Sequence, residues 1–182
     1  MLHELHQEHL NIAKLLDLLR QQLFAIRAEK PVRYRLLKDI LGYLSEVADQ
    51  YHHPQEDLIY DYYLKFRCTD DQVSSRLKAE HERVVSTGQE LTAMVDMILM
   101  DAVIPLDQLT ARLENFIVLQ QRHMDYEEAD VFPELRVRLT EDDWRHLEQI
   151  WQNRAIGDPL FGPEISQHFQ ALAKRLSLPL SS

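Results

Sequence analysis

Two copies of one histidine–glutamate pattern constrain the fold of this chain more than any other feature of its sequence. Each copy has a lone histidine and then, 42 or 43 residues later, a histidine followed by a glutamate four positions on. The members are, in order, His9, His52 and Glu56, and then His81, His123 and Glu127. Residues four apart on a helix lie one turn from each other on the same face. The pattern therefore predicts pairs of metal-ligand side chains carried by helices.

The apolar residues around this pattern predict four long helices. In the first helix, apolar side chains and His9 alternate by steps of four and three, which is typical of a helix packed in a bundle. Pro31 and Pro105 mark breaks between helices, and Thr69 is predicted to cap the third. Glycine, which destabilises helix interiors, occurs only 4 times. We therefore predict an all-α fold, an antiparallel up-down-up-down four-helix bundle over residues 1–138.

The remainder of the chain, residues 139–182, is predicted to form two short helices packed on the same domain. Thr140 and the acids that follow it are typical of a helix start. The glycines and prolines of residues 157–163 predict a loop between the two helices.

In an antiparallel bundle, the six residues of the pattern converge at one level of the core. His9 near the start of the first helix lies level with the end of the second, where His52 and its glutamate fall, and the third and fourth helices repeat this relation. A buried carboxylate without a partner costs several kcal/mol. No lysine or arginine occupies the core-facing positions near Glu56 or Glu127, so the carboxylates need another cation. We predict a metal site.

Six ligands suit two ions better than one. With two histidines on each ion and both glutamates bridging, each ion keeps positions for an oxo or hydroxo bridge and an exogenous molecule. Mixed imidazole and carboxylate ligation suits iron, which we expect, with manganese and zinc as alternatives.

Pro54 lies inside the second helix, between the histidine and the glutamate of the first pair. Proline in a helix removes a backbone hydrogen bond and crowds the preceding turn, so we expect a kink or a local widening there. Such a distortion would rotate His53 inward in place of His52. We take His52 as the ligand and keep His53 as the alternative.

In this order and spacing, with Glu-Asp-Leu-Ile-Tyr and Glu-Glu-Ala-Asp-Val-Phe-Pro after the two glutamates, the sequence resembles the hemerythrin-like (HHE cation-binding) domain over about residues 1–138. The resemblance implies a four-helix bundle that holds a non-haem di-iron centre. The ligands it implies are His9, His52, Glu56, His81, His123 and Glu127.

The sequence departs from the oxygen-carrying hemerythrins at two points. Those proteins have a second histidine four residues after the one in the third helix, where this chain has Val85. Their last acidic ligand is an aspartate five residues after its histidine, at the place of Glu128. The symmetric set of four histidines and two glutamates is similar to nitric-oxide-responsive di-iron proteins linked to iron–sulfur cluster repair. Those proteins carry a further N-terminal domain with adjacent cysteines, whereas these 182 residues contain a single cysteine.

Our leading hypothesis is a cytoplasmic di-iron protein that binds O2 or NO in sensing, storage or detoxification, rather than an enzyme. A di-iron oxidase, a nitric oxide reductase or a cluster-repair factor is the second hypothesis, and a structural metal site is the third. A reductase partner is compatible with the first two, and the oligomeric state is not predicted.

The amino-acid composition limits the possible binding partners and cellular locations of the protein. The net charge of −10 argues against nucleic acid and against an anionic membrane surface. A single cysteine gives no sign of an oxidising compartment, and neither a secretory signal nor a membrane span is recognisable. We therefore expect a cytoplasmic protein.

Acidic residues adjoin several of the candidate ligands. Glu8 precedes His9, and Glu80 precedes His81. We expect both glutamates on the solvated sides of their helices. The alternative is a hydrogen bond that fixes the tautomer of a ligand histidine.

Overall fold

The computed structural model describes residues 1–68, 72–151 and 158–178, with the backbone alone at 72–75. Thr69, the predicted cap, and Gly157 of the predicted loop lie outside these ranges. Within them, every regular element is helical. The elements are α1 (Leu2–Arg27), α2 (Tyr34–Tyr43), a first π-helical segment (Leu44–His52), α3 (His53–Phe66), α4 (Gln72–Leu99), α5 (Leu106–Tyr126), a second π-helical segment (Glu127–Val131), α6 (Phe132–Arg138), α7 (Glu141–Trp151), a 3-10 turn (Gln167–Phe169) and α8 (Gln170–Arg175).

Four long helices form the bundle. The first is α1, the second joins α2, the first π segment and α3, the third is α4, and the fourth joins α5, the second π segment and α6. Close contacts run from α1 to α2, from α2 and α3 to α4, from α4 to α5 and from α5 back to α1. Each bundle helix therefore packs against two neighbours around one core, and the predicted all-α bundle with short C-terminal helices is confirmed.

The first bundle helix ends where the sequence predicts a break. Glu29 adopts a left-handed conformation with φ of 52°, and the Lys30 amide donates to the Ala25 carbonyl at 2.9 Å. This geometry closes the last turn of a helix. Pro31 follows at once and prevents the helix from continuing.

Both π segments precede a proline. Pro54 is the second residue of α3, and Pro133 is the second residue of α6. Proline lacks an amide N–H and cannot donate the hydrogen bond of a regular α-helical turn, so the backbone of these continuous bundle helices must depart from α geometry there. The π segments widen the helix by one residue per turn just before these positions. The widening predicted at Pro54 is confirmed, whereas the one before Pro133 was not predicted.

The core has two apolar clusters. The larger extends from Ile12 to Ile26 in α1 and includes Leu37, Leu91 and Leu113. The smaller lies towards the start of α1, around Leu5, Ile59, Phe132 and Leu147. The histidines and glutamates of the repeated pattern lie along the helices between these clusters, so apolar layers close the polar level from both ends.

The residues after Arg138 contact the bundle at two places. On α7, Leu147 is fully buried in the smaller cluster. Leu160 and Phe169 are buried in the larger cluster, and the Tyr43 hydroxyl donates to Asp158 at 2.8 Å. The division of the chain at residue 138 stays a prediction.

Candidate metal centre

All six predicted ligands are buried at one level of the core, and a seventh side chain joins them. No member of this set has more than 5 % of its surface exposed, and both glutamates have none. The set comprises His9, His52, His53, Glu56, His81, His123 and Glu127. His52 and His53 were predicted as alternative ligands, but both side chains face the core.

The first π segment explains how two consecutive residues reach the centre. In an α-helix, consecutive side chains diverge by about 100°, which would leave one of the two facing away from the core. His52 ends the π segment and His53 begins α3. The wider turn of the π segment places both side chains against the core.

Four of the histidines are held from outside by a carboxylate. The Nδ1–H groups donate as follows: His9 to Glu128 at 2.8 Å, His52 to Glu8 at 2.6 Å, His81 to Asp57 at 3.0 Å and His123 to Glu80 at 3.3 Å. An ionised carboxylate only accepts, so each bond places the proton on Nδ1. Each Nε2 therefore faces the centre, and its lone pair can bind a metal ion once no proton occupies it.

These four hydrogen bonds form a closed ring around the bundle. In each bond, an acid of one bundle helix accepts from a histidine of the next. The pairs run from the first helix to the second, from the second to the third, from the third to the fourth, and from the fourth back to the first. Glu8 and Glu80 thus bond the histidine of the next helix rather than the one beside them in sequence. Glu128 also lies outside the centre, where it accepts from His9 and from His6.

The two glutamates lie between the inward-facing nitrogens. Glu56 Oε1 is 3.3 Å from Nε2 of His9 and of His52, and its Oε2 is 3.5 Å from His81 Nε2. Glu127 Oε2 is 3.3 Å from Nε2 of His9 and of His123. Each carboxylate therefore lies between histidines of different bundle helices.

Most of the nitrogen and oxygen atoms that face the centre have no hydrogen-bond partner. Among the described residues, these orphan atoms include Nε2 of His9, His53, His81 and His123, both oxygens of Glu56 and Oε2 of Glu127. Buried polar atoms are nearly always satisfied, and an unsatisfied one costs about 1–3 kcal/mol. A cation bound among these atoms would satisfy them together.

Most of the donor residues fall into two groups that share Glu56, and Glu127 belongs to neither. One consists of His53, Glu56, His81 and His123, the other of His9, His52 and Glu56, and within each group the atoms lie within 4.8 Å of one another. Atoms on opposite sides of one ion at about 2.1 Å are about 4.2 Å apart. Small side-chain movements would thus bring each group around its own ion.

The pKa shifts of two buried histidines and of Glu56 also indicate a site for a cation. Burial lowers the pKa of His9, but the carboxylates of Glu127 and Glu56 offset this and raise the pKa to about 11. The pKa of His81, also lowered by burial, is raised to about 11 by Asp57 and the same two glutamates. The pKa of Glu56, which burial raises, is held well below its ordinary value by the histidines. Without metal, the centre therefore retains protons, and a cation supplies the same positive charge.

Two aromatic side chains border the centre. The Tyr60 hydroxyl donates to Glu127 Oε1 at 2.9 Å in a fully buried bond, and burial together with Glu56 and Glu127 raises its pKa well above the ordinary value. The Phe132 ring stacks on His9 with centroids 5.5 Å apart. Tyr60 therefore remains a neutral hydrogen-bond donor that orients Glu127.

A cavity borders the centre at His52. It has a volume of about 190 Å³ and is lined by Glu8, Glu46, Val47, Tyr51, His52, Gln55, Asp158 and Pro159. A larger depression of about 950 Å³ lies elsewhere, around Arg33, Tyr34 and Arg175, and no core histidine lines it. Of the two, only the small cavity is lined by a residue of the centre, His52, on the side where Glu8 accepts its Nδ1 proton.

Buried imidazoles and carboxylates inside a four-helix bundle define a helical metal-binding protein. The family model for the Hemerythrin HHE cation binding domain matches residues 1–135. The chain therefore belongs to this family, and its function is metal-ion binding. Comparisons with curated proteins and with solved structures found no match. None of the described helices is long and apolar enough to cross a membrane.

Sequence reasoning found the six residues of the pattern and missed features that depend on contacts between helices. The structure brings all six together, and their role as ligands stays a prediction. The acids Asp57 and Glu128 were missed because each only follows a candidate ligand in sequence, and nothing local shows which histidine it meets. The signal for His53 was present, since Pro54 follows it directly.

Proposed function

We propose that the chain holds two iron ions, joined by an oxo or hydroxo bridge, and binds a diatomic molecule, O2 or NO, for sensing, storage or detoxification. The proposed ligands are His9, His52, Glu56, His81, His123 and Glu127. When bound, a pair of ferrous ions supplies open coordination positions and electrons for such a molecule. We further propose a cytoplasmic location.

The observation that carries this proposal is the small cavity at His52. Its volume is about 190 Å³. Drug-sized organic ligands occupy pockets of about 300–1,000 Å³. The cavity thus suits a diatomic molecule and disfavours an oxidase that acts on a larger organic substrate.

The chain's own residues hold the centre in a form ready for metal. The ring of acids fixes the four Nδ1 protons, so each Nε2 only has to lose any proton that it carries when an ion arrives. The Tyr60 hydroxyl holds one oxygen of Glu127. The apolar clusters on either side exclude water from the remaining space.

The test is to load the metal-free protein with Fe(II) under anaerobic conditions and to measure metal content by elemental analysis. Optical spectra are then recorded before and after O2, and separately NO, is added. We expect about two irons per chain and new charge-transfer absorption with at least one gas, and reversal on removal of the gas would favour binding over turnover. One metal per chain, or no spectral response to either gas, would contradict the proposal.

A cavity-filling variant tests the route of access. In Val47→Phe, a larger side chain in the cavity should slow the spectral response to the gas without changing the iron content. Val118→Phe is the matched control, because Val118 is 38 % exposed on α5 and does not line the cavity. Equal response rates in the two variants would show that the gas does not use this cavity.

A further inference from the structure

His53 is the buried histidine that the ring of acids leaves out. Only 3 % of its surface is exposed, yet neither ring nitrogen has a hydrogen-bond partner. The nearest carboxylate is that of Asp49, one turn earlier, with Oδ1 at 3.7 Å from Nδ1. That distance is too long for a hydrogen bond. A buried imidazole with two unsatisfied nitrogens is unstable unless a ligand completes its surroundings.

The surroundings of His53 are other candidate ligands. Its ring stacks on that of His81, with centroids 4.4 Å apart and planes 20° apart, and meets the His123 ring edge-on at 5.6 Å. A donor nitrogen of His53 lies within 4.8 Å of donor atoms of Glu56, His81 and His123. Val85, one turn after His81 on α4, is apolar, so α4 offers no further imidazole there.

We propose that His53 is a fifth imidazole ligand and that it makes the two metal positions unequal. This inference rests on the proposed two-metal centre. His53, His81 and His123 serve one position, His9 and His52 serve the other, and both glutamates bridge. The first position then has three nitrogens and two oxygens, five protein donors, and the second has two of each, four protein donors.

Ligation also explains how the second nitrogen of His53 is satisfied. When one ring nitrogen binds the ion, the proton must lie on the other. The Nδ1 atom of His53 lies 3.7 Å from Oδ1 of Asp49. A side-chain movement of less than about 1 Å would shorten this distance to that of a hydrogen bond. Asp49 is then a positioning residue for His53, supplied by the second bundle helix itself rather than by the neighbouring helix.

The number of ligated imidazoles can be counted on the full-length protein loaded with Co(II), which is paramagnetic. In the proton NMR spectrum, the N–H proton of each ligated imidazole gives a strongly shifted signal that disappears in D2O. Five such signals are expected for the wild-type chain with two Co(II) bound. Four signals would overturn the inference. This measurement uses the wild-type chain and needs no substitution.

A substitution identifies the fifth signal. His53→Asn should remove one shifted signal and weaken the binding of one Co(II) at least about tenfold, a loss seen even when outer partners of ligands are removed, while the other ion binds as before. His168→Asn is the control, because His168 is exposed and lies beyond the bundle. If His53→Asn matches this control in both signals and affinity, His53 is not a ligand.

The result that would contradict a ligand role for His53 differs from the result that would contradict the proposed two-metal centre. A wild-type chain that binds two ions through four imidazoles keeps the two-metal centre and loses only the role of His53. A chain that binds fewer than two ions loses both.

Discussion

At the scale of single residues, the centre is organised by bonds that sequence proximity does not reveal. The spacing of four residues correctly placed each glutamate beside its histidine, because that spacing is a property of one helix. The ring of acids joins different helices, so the partner of each acid depends on packing. Glu8 adjoins His9 in sequence, yet it accepts from His52 across the helix interface at 2.6 Å.

The ring of acids predicts that outer carboxylates tune metal affinity. Asp57→Asn removes the charge that accepts the Nδ1 proton of His81, which should weaken the binding of Fe(II) about tenfold. Competition with a coloured chelator measures the affinity. Asp61→Asn, an exposed change one turn later on α3, is the matched control, and equal affinities for the two variants would contradict the account.

At the scale of elements, the two π segments determine which side chains face the core. Helical phase predicted from the sequence assumes a constant 3.6 residues per turn, and every π turn shifts that phase. Pro54 gave a local signal for the first segment. The segment at Glu127–Val131 was not predicted, although Pro133 follows it as Pro54 follows the first. The sequence therefore predicted the helices and the level of the site, but not that His53 faces inward together with His52.

The attachment of α7 to α3 depends on one buried carboxylate. Asp143 accepts two hydrogen bonds from the Arg67 guanidinium, at 2.7 and 2.8 Å, and one from the Tyr62 hydroxyl at 2.7 Å. It also caps α7 through Thr140. The Arg67 guanidinium outweighs burial and holds the pKa of the Asp143 carboxyl well below its usual range.

Asp143→Asn should therefore destabilise the protein in a pH-dependent way. A depressed carboxyl pKa stabilises the folded state above the unfolded pKa, near 4, and this contribution is lost as the pH falls. We expect the free energy of unfolding to drop by about 2 kcal/mol at pH 7 and by less at pH 3. Urea denaturation of the metal-free protein measures both values. Asp142→Asn, at an exposed site, should change neither, and an equal loss at both pH values in Asp143→Asn would contradict the role of its charge.

At the scale of the whole molecule, the polar centre is enclosed by apolar clusters to which the C-terminal residues contribute. Leu160 is fully buried and belongs to the larger cluster together with α1, α2 and α4. The Tyr43 ring meets Phe161 and Phe169 edge-on at 5.8 and 5.5 Å. These contacts favour one folding unit for the bundle and the residues that follow it.

Leu160→Ala tests whether the extension folds with the bundle. Removing a fully buried leucine side chain should lower the free energy of unfolding by about 2–5 kcal/mol, and the metal-loaded protein should still unfold in one transition. Leu10→Ala is the control, since Leu10 is 45 % exposed and should change stability by less than about 0.5 kcal/mol. Two separate transitions, or an unchanged stability in Leu160→Ala, would show that the extension is independent of the bundle.

The number of metal ions that the buried glutamates hold decides whether the chain contains a two-metal centre. Anaerobic titration of the metal-free chain with Fe(II) should saturate at two ions per chain. Glu56→Gln combined with Glu127→Gln should abolish tight binding of both ions while leaving the metal-free fold intact, because the double variant removes two buried charges. Saturation at one ion, or two ions still bound tightly by the double variant, would contradict a two-metal centre bridged by these glutamates.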